Sequence, residues 1–172
     1  MHDLPNGMVI DGVLQPFAQG EPSAALKHLS WAGDLLVYDR NYASFEVVCE
    51  HQQCNMHVLM RLRLSFSQQV KTFAQSAEDD AVVAIRPGEN MPVKDKAYGR
   101  NTAVQVRLVK SGLDNGQVAL LLTTPPGKEE FPVECLKQVY ALRRGVETAY
   151  DVCSGGSASL ALARQPLRRP ST

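Results

Sequence analysis

Between residues 34 and 64 the chain reads strand, helix, strand, and this order restricts its fold more than any other feature. Residues 34–39, DLLVYD, form a short apolar run that ends in a carboxylate. Apolar side chains without alternation predict a strand buried on both faces, with Asp39 at its C-terminal edge. Residues 42–54, YASFEVVCEHQQC, can form a helix. In residues 57–64, HVLMRLRL, Val58, Met60, Leu62 and Leu64 alternate with His57, Leu59, Arg61 and Arg63, a strand pattern interrupted once. Two strands joined by a helix make a βαβ unit with a parallel pair, which places the chain in the α/β class.

The flanks add elements to this unit. Apolar residues from Met8 to Leu14 surround Asp11 and Gly12, which suits a strand or a hairpin turn. GEPSAALKHL, residues 20–29, has Pro22 near a helix start, with Ala25, Leu26 and Leu29 at helical spacing. From Ser65 to about Thr124 strands and turns dominate, in AVVAIRP, TAVQVRLVK, the turn SGLDNG and QVALLLTTP. This segment is a β-rich insertion or an extension of the sheet. PPGKEEFPVEC then leads into a helix over 136–151, LKQVYALRRGVETAYD, with prolines and acids at its start. The organisation predicted is a core over 1–64, a β-rich insertion over 65–124, a returning segment and helix over 125–152, and a tail over 153–172. Gly, Ser and Pro in the tail predict disorder beyond a short helix at 157–164.

Charge narrows the choice of partners. The 172 residues carry 18 basic and 18 acidic side chains. The tail holds Arg164, Arg168 and Arg169 and no acid, so the remainder has 15 basic against 18 acidic residues, a net −3. A surface for nucleic acid must therefore be a local patch. No run of 18 apolar residues exists, and the first residues, MHDLPNGMVIDG, lack both a basic and an apolar region of signal-peptide type. The expectation is a cytoplasmic protein with no membrane partner. Cys49, Cys54, Cys135 and Cys153 are few enough to be reduced thiols. Cys49, His51, Cys54 and His57 do not have a usual zinc spacing, and buried thiols with surface histidines are expected there. AEDDA at 77–81 reads as a solvated turn. Arg61 and Arg63 suit contacts to a DNA backbone, although exposed arginines on a strand need no ligand.

On the helix at 136–151, Tyr140, Arg143 and Glu147 fall at i, i+3 and i+7 on one stripe. Alone, the triplet is an ordinary solvated helix face. Asp39 changes its weight, because metal-assisted phosphoryl transfer needs carboxylates that meet at one point, and the C-terminal edge of a parallel strand suits one of them.

LLVYDRNYAS, residues 35–44, resembles the segment around the second catalytic aspartate of the DDE transposases of bacterial insertion sequences, where Asp-Arg-Gly-Tyr is usual. YALRRGVE, residues 140–147, is similar to the Tyr-x2-Arg-x3-Glu-x6-Lys signature around the third acid of the same group, the YREK type. Over roughly residues 1–151 the resemblance implies an RNase H-like catalytic domain with a β insertion before the glutamate helix. It implies Asp39 and Glu147 as catalytic ligands of Mg²⁺ or Mn²⁺, and Tyr140 and Arg143 as contacts to DNA phosphates near the transposon end.

Three departures shape the functional expectation. Ser154 stands where the signature has lysine, and Asn41 where glycine is usual. The first catalytic aspartate has no counterpart, because Asp11 precedes Asp39 too closely for the strands and helix that should separate them. The expectation is thus a C-terminal piece of a transposase, lacking its first strand, first acid and N-terminal DNA-binding region and ending in a shifted frame. The ancestral chemistry would be metal-dependent DNA strand cleavage and strand transfer, with this chain inactive. The alternative is a non-catalytic remnant that binds DNA or pairs with a full-length transposase or a second copy. The third reading is a plain α/β domain with a chance helix stripe.

Overall fold

The computed structural model describes residues 2–3, 8–9, 26, 32–94, 96, 98–112, 116–124, 127–129, 131–154 and 162–166, with 2–3, 8–9, 144–154 and 162–166 described by their backbone alone. The strands are β1 (His2–Asp3), β2 (Met8–Val9), β3 (Asp34–Tyr38), β4 (His57–Leu62), β5 (Asp80–Ile85), β6 (Val104–Gly112), β7 (Val118–Thr123) and β8 (Leu162–Pro166). The helices are α1 (Phe45–Gln53), α2 (Gln68–Gln75) and α3 (Val133–Ser154). The strands lie in the order β2-β1-β8-β3-β4-β7-β6-β5.

The βαβ unit is present as the sequence predicts. All five residues of β3 are buried, and β3 runs parallel to β4 with Leu36 beside Val58 and Tyr38 beside Met60. Helix α1 begins where Ser44 Oγ accepts a hydrogen bond from the Val47 amide at 3.1 Å, a standard N-cap. It ends at Cys54, and Asn55 follows with φ 53°, the left-handed geometry that turns the chain toward β4. The interruption at Leu59 also has its explanation here. Val58, Met60 and Leu62 face one core with Leu36, Tyr38, Val48 and Phe73, whereas Leu59 joins Leu35, Val37, Leu121, Leu136 and Val139 on the other side. Helices α1 and α2 cover the first face and α3 the second, so the sheet is the middle layer of three.

Strands β5 to β7 extend the same sheet. β7 pairs antiparallel with β4, β6 with β7 and β5 with β6. Of the turn joining β6 to β7, Gly116 is described, with φ +77°, a conformation glycine adopts without the clash a Cβ would bring. Helix α2 is an addition to the sequence reading, which has strands and turns throughout 65–124. Ser67 Oγ caps it by accepting from the Val70 amide at 3.2 Å, and Val70 and Phe73 anchor it in the core. Leu64, expected in the strand, belongs instead to a 3-10 turn over Leu64–Phe66 and is 58% exposed.

The backbone of 162–166 is a strand between β1 and β3, where the sequence reading has a low-complexity tail with a helix at 157–164. The physical reason is the edge of β3. A strand buried on both faces cannot leave one row of amides and carbonyls unpaired, and β8 pairs antiparallel with it along its whole length. Asp11, Gly12 and the helix expected over 20–29 lie outside the described residues except Leu26, which is in a turn. No helix among the described residues is long and apolar enough to cross a membrane.

Candidate nucleic-acid interface

Asp39 is the first residue past β3, at the C-terminal edge of the parallel pair, and caps a 3-10 turn over Arg40–Tyr42. The turn is held by the Tyr42 amide, which donates to the Asp39 carbonyl at 3.0 Å. Leu136 and Val139 pack on the sheet, and one turn farther along α3 the same face carries Tyr140 and Arg143 to this edge. Arg143 is 9% exposed, so it is no solvated helix residue. Its Nη2 lies 3.6 Å from Asp39 Oδ1, and its guanidinium is 5.5 Å from the centre of the Tyr140 ring, within cation–π range. Burial pushes the Tyr140 phenol above its ordinary pKa and the Asp39 carboxylate adds to this, while Arg143 and Arg61 work against it. Asp39, Arg61, Tyr140 and Arg143 therefore share one corner of the molecule.

Of the four residues singled out from sequence, the structure brings three together. Glu147 is one helical turn beyond Arg143, and its side chain lies outside the described residues. A magnesium or manganese ion would need several oxygen donors here. The described side chains offer one carboxylate, Asp39, which already faces a guanidinium, and no group of three His, Cys, Asp or Glu converges among the described residues.

At the same end of the parallel pair, from Arg40 onward, opens a groove of about 340 Å³, lined among others by Arg40, Asn41, Ser44, Arg63, Ser65 and Arg86. Three guanidiniums come from three segments, after β3, β4 and β5, and none of the residues lining the groove is acidic. Arg63 Nη2 donates to Asn41 Oδ1 at 2.6 Å, and Arg86 Nη1 to the Asn101 carbonyl at 3.4 Å. Arg100 forms part of the frame, donating to the carbonyls of Gly88 at 2.6 Å and Met91 at 2.9 Å. Sequence reasoning named Arg63 and missed Arg40 and Arg86. The signal for Arg40 was its place next to Asp39 on a strand end; Arg86 had none, because its approach depends on how β5 joins the sheet.

Other residues have structural work. His51, expected at the surface, is 3% exposed and bonded to Tyr38. Cys49 is buried and Cys54 and Cys135 are exposed, all three as free thiols. Within the acidic run at 77–81, Asp79 is solvated, with a side chain 80% exposed, whereas Asp80 pairs with the buried Arg107.

No protein-family model matches this chain, and no curated protein matches it.

Proposed function

We propose that the chain is a transposase-derived, RNase H-like domain that binds the DNA backbone without cutting it. The observation that carries this reading is the basic groove of Arg40, Arg63 and Arg86 next to the Asp39–Arg143 corner. Both lie at the end of the parallel strands β3 and β4, where α/β sheets hold their ligands. The resemblance around Asp39 and Tyr140 supports the origin. Guanidiniums grip phosphate oxygens through paired hydrogen bonds and carry no base information, so recognition is of backbone rather than sequence. Arg143 acts as a positioning residue in this reading. It neutralises Asp39, whose carboxylate, next in sequence to Arg40, would otherwise repel a phosphate chain approaching that arginine.

Binding of a fluorescent duplex, followed by anisotropy across a salt series, tests the proposal. The double substitution Arg40→Ala, Arg63→Ala should weaken binding and lower the log–log salt slope by about 0.9 for each phosphate no longer neutralised. Lys71→Ala, an exposed lysine on α2, should leave both unchanged. No binding by the unaltered chain, or equal losses from Lys71→Ala, overturns the reading.

The corner gives a second expectation. Arg143→Ala should weaken DNA binding, and adding Asp39→Asn should restore it, because the repelling carboxylate is then gone. Failure of Asp39→Asn to restore binding would assign Arg143 a direct role in gripping phosphate. The purified chain should neither nick nor join DNA in Mg²⁺ or Mn²⁺; cleavage that disappears on Asp39→Ala would replace the non-catalytic reading with a catalytic one.

A further inference from the structure

The turns that follow β3 and β4 are joined by a side-chain bond. Arg63 Nη2 donates to Asn41 Oδ1 at 2.6 Å, across 22 positions of the chain. Both ends stand on closed turns. The Tyr42 amide closes the turn over Arg40–Tyr42 on the Asp39 carbonyl, and the Phe66 amide closes the turn over Leu64–Phe66 on the Arg63 carbonyl at 3.0 Å. Arginine only donates, so the amide atom of Asn41 that faces it is the oxygen. Among the described residues a positive φ outside glycine occurs only at Asn55, so the backbone at position 41 does not call for glycine.

Asn41 and Arg63 are both exposed and both line the basic groove. An exposed arginine loses rotamer freedom when it grips a phosphate, and that loss weakens binding. A bond made before the phosphate arrives removes part of this cost in advance. It uses one of the five N–H groups of the guanidinium and leaves the charge intact, because an amide, unlike a carboxylate, brings no charge of its own. Glycine, usual at this place in the segment that residues 35–44 resemble, could not make the bond.

We propose that Asn41 is a positioning residue of the groove, which holds the Arg63 guanidinium against the turn that carries Arg40 so that the two meet a phosphate backbone as a preorganised pair. This rests on the DNA-binding reading and adds to it the residue that orders the grip. The role needs an uncharged acceptor. Aspartate at position 41 would pair with Arg63 and cancel the charge that a phosphate requires.

Two measurements on the full chain test this. Without DNA, the nitrogen-15 heteronuclear NOE of the Arg63 Nε–Hε group should fall in Asn41→Ala, because the side chain is released. With a fluorescent duplex in a salt series, Asn41→Ala should weaken binding by about fivefold and leave the salt slope unchanged, since the charge of Arg63 remains. Arg63→Ala should lower both affinity and slope, and Asn41→Ala combined with Arg63→Ala should bind no more weakly than Arg63→Ala alone. Asn41→Asp should lower the slope by about 0.9, as Arg63→Ala does. An unchanged NOE in Asn41→Ala, or losses that add in the double variant, overturns the proposal while the DNA-binding reading stands. No binding by the unaltered chain overturns both.

Discussion

Asp80→Ala will lower the stability of the fold by about 3–5 kcal/mol, the usual cost of leaving a buried charge without its partner. Arg107 is 2% exposed, in the middle of β6. Its Nε and Nη2 hold the two oxygens of Asp80 at 2.8 and 2.9 Å, and its Nη1 donates to the carbonyls of Phe131 at 2.6 Å and Gly127 at 3.3 Å. Those carbonyls belong to the segment that leads into α3, so one arginine ties β5 and β6 to the start of that helix. Without the carboxylate, a guanidinium stays buried with neutral acceptors alone. Arg107→Met should cost less, because methionine fills much of the same space and Asp80 keeps Lys128, 3.5 Å away. Urea unfolding of the two variants decides the point, and equal losses would mean that burial of the charge is not what makes the pair matter.

The same pair sets an acid limit. Hydrogen bonds from Arg107, and secondarily its charge and that of Lys128, hold the Asp80 carboxyl below its ordinary pKa against the opposing effect of burial. A carboxyl with a depressed folded pKa contributes fully above its unfolded value of about 4, and its contribution is lost as the pH falls through the folded value. Asp80→Asn should therefore be least stable relative to the unaltered chain at neutral pH, and the difference should shrink as the pH falls below about 4.

The contrast between Asp39 and Asp80 shows what a sequence can and cannot disclose. The position of Asp39 follows from local pattern, since an apolar run that ends in a carboxylate reads directly as a buried strand and its edge. Helices α1 and α3 were legible locally as well, α1 as a helix-capable stretch between two strands and α3 from the prolines and acids at its start. The capping signal for α2 was also present, Ser67 ahead of Val70, Phe73 and Ala74, but the strands around it outweighed eight residues. Asp80 stood in an acidic run that looks solvated, and only the pairing of β5 with β6 places it opposite a buried arginine. Long-range register is not written in either segment alone. Arg86 in the basic groove was hidden for the same reason, and so was β8, whose strand exists because β3 needs a partner on its other side.

His51 gives the second large effect, at the other end of the pH scale. Its Nδ1 is 2.7 Å from the Val47 carbonyl, four residues back in α1, and its Nε2 is 2.7 Å from the Tyr38 hydroxyl. A carbonyl only accepts, so Nδ1 carries the proton, Nε2 accepts, and Tyr38 donates. The neutral ring is thus fully satisfied inside the first core, and burial lowers its pKa although the Val47 carbonyl favours the charged form. A base whose folded pKa lies below its unfolded value, about 6.5, contributes fully above that pH. As the pH falls below it the unfolded chain takes up the proton first, so stability declines by up to about 1.4 kcal/mol per pH unit until the folded value is passed. Urea midpoints should therefore fall between pH 7.5 and pH 5.5, by more in the unaltered protein than in His51→Gln. The other histidines cancel in that difference. Tyr38→Phe should cost about 1–3 kcal/mol at neutral pH, because it leaves a buried Nε2 without its donor. An equal decline in the unaltered chain and His51→Gln would show that the proton is taken up elsewhere, and a neutral Tyr38→Phe would remove the hydroxyl from the account of why this helix sits where it does.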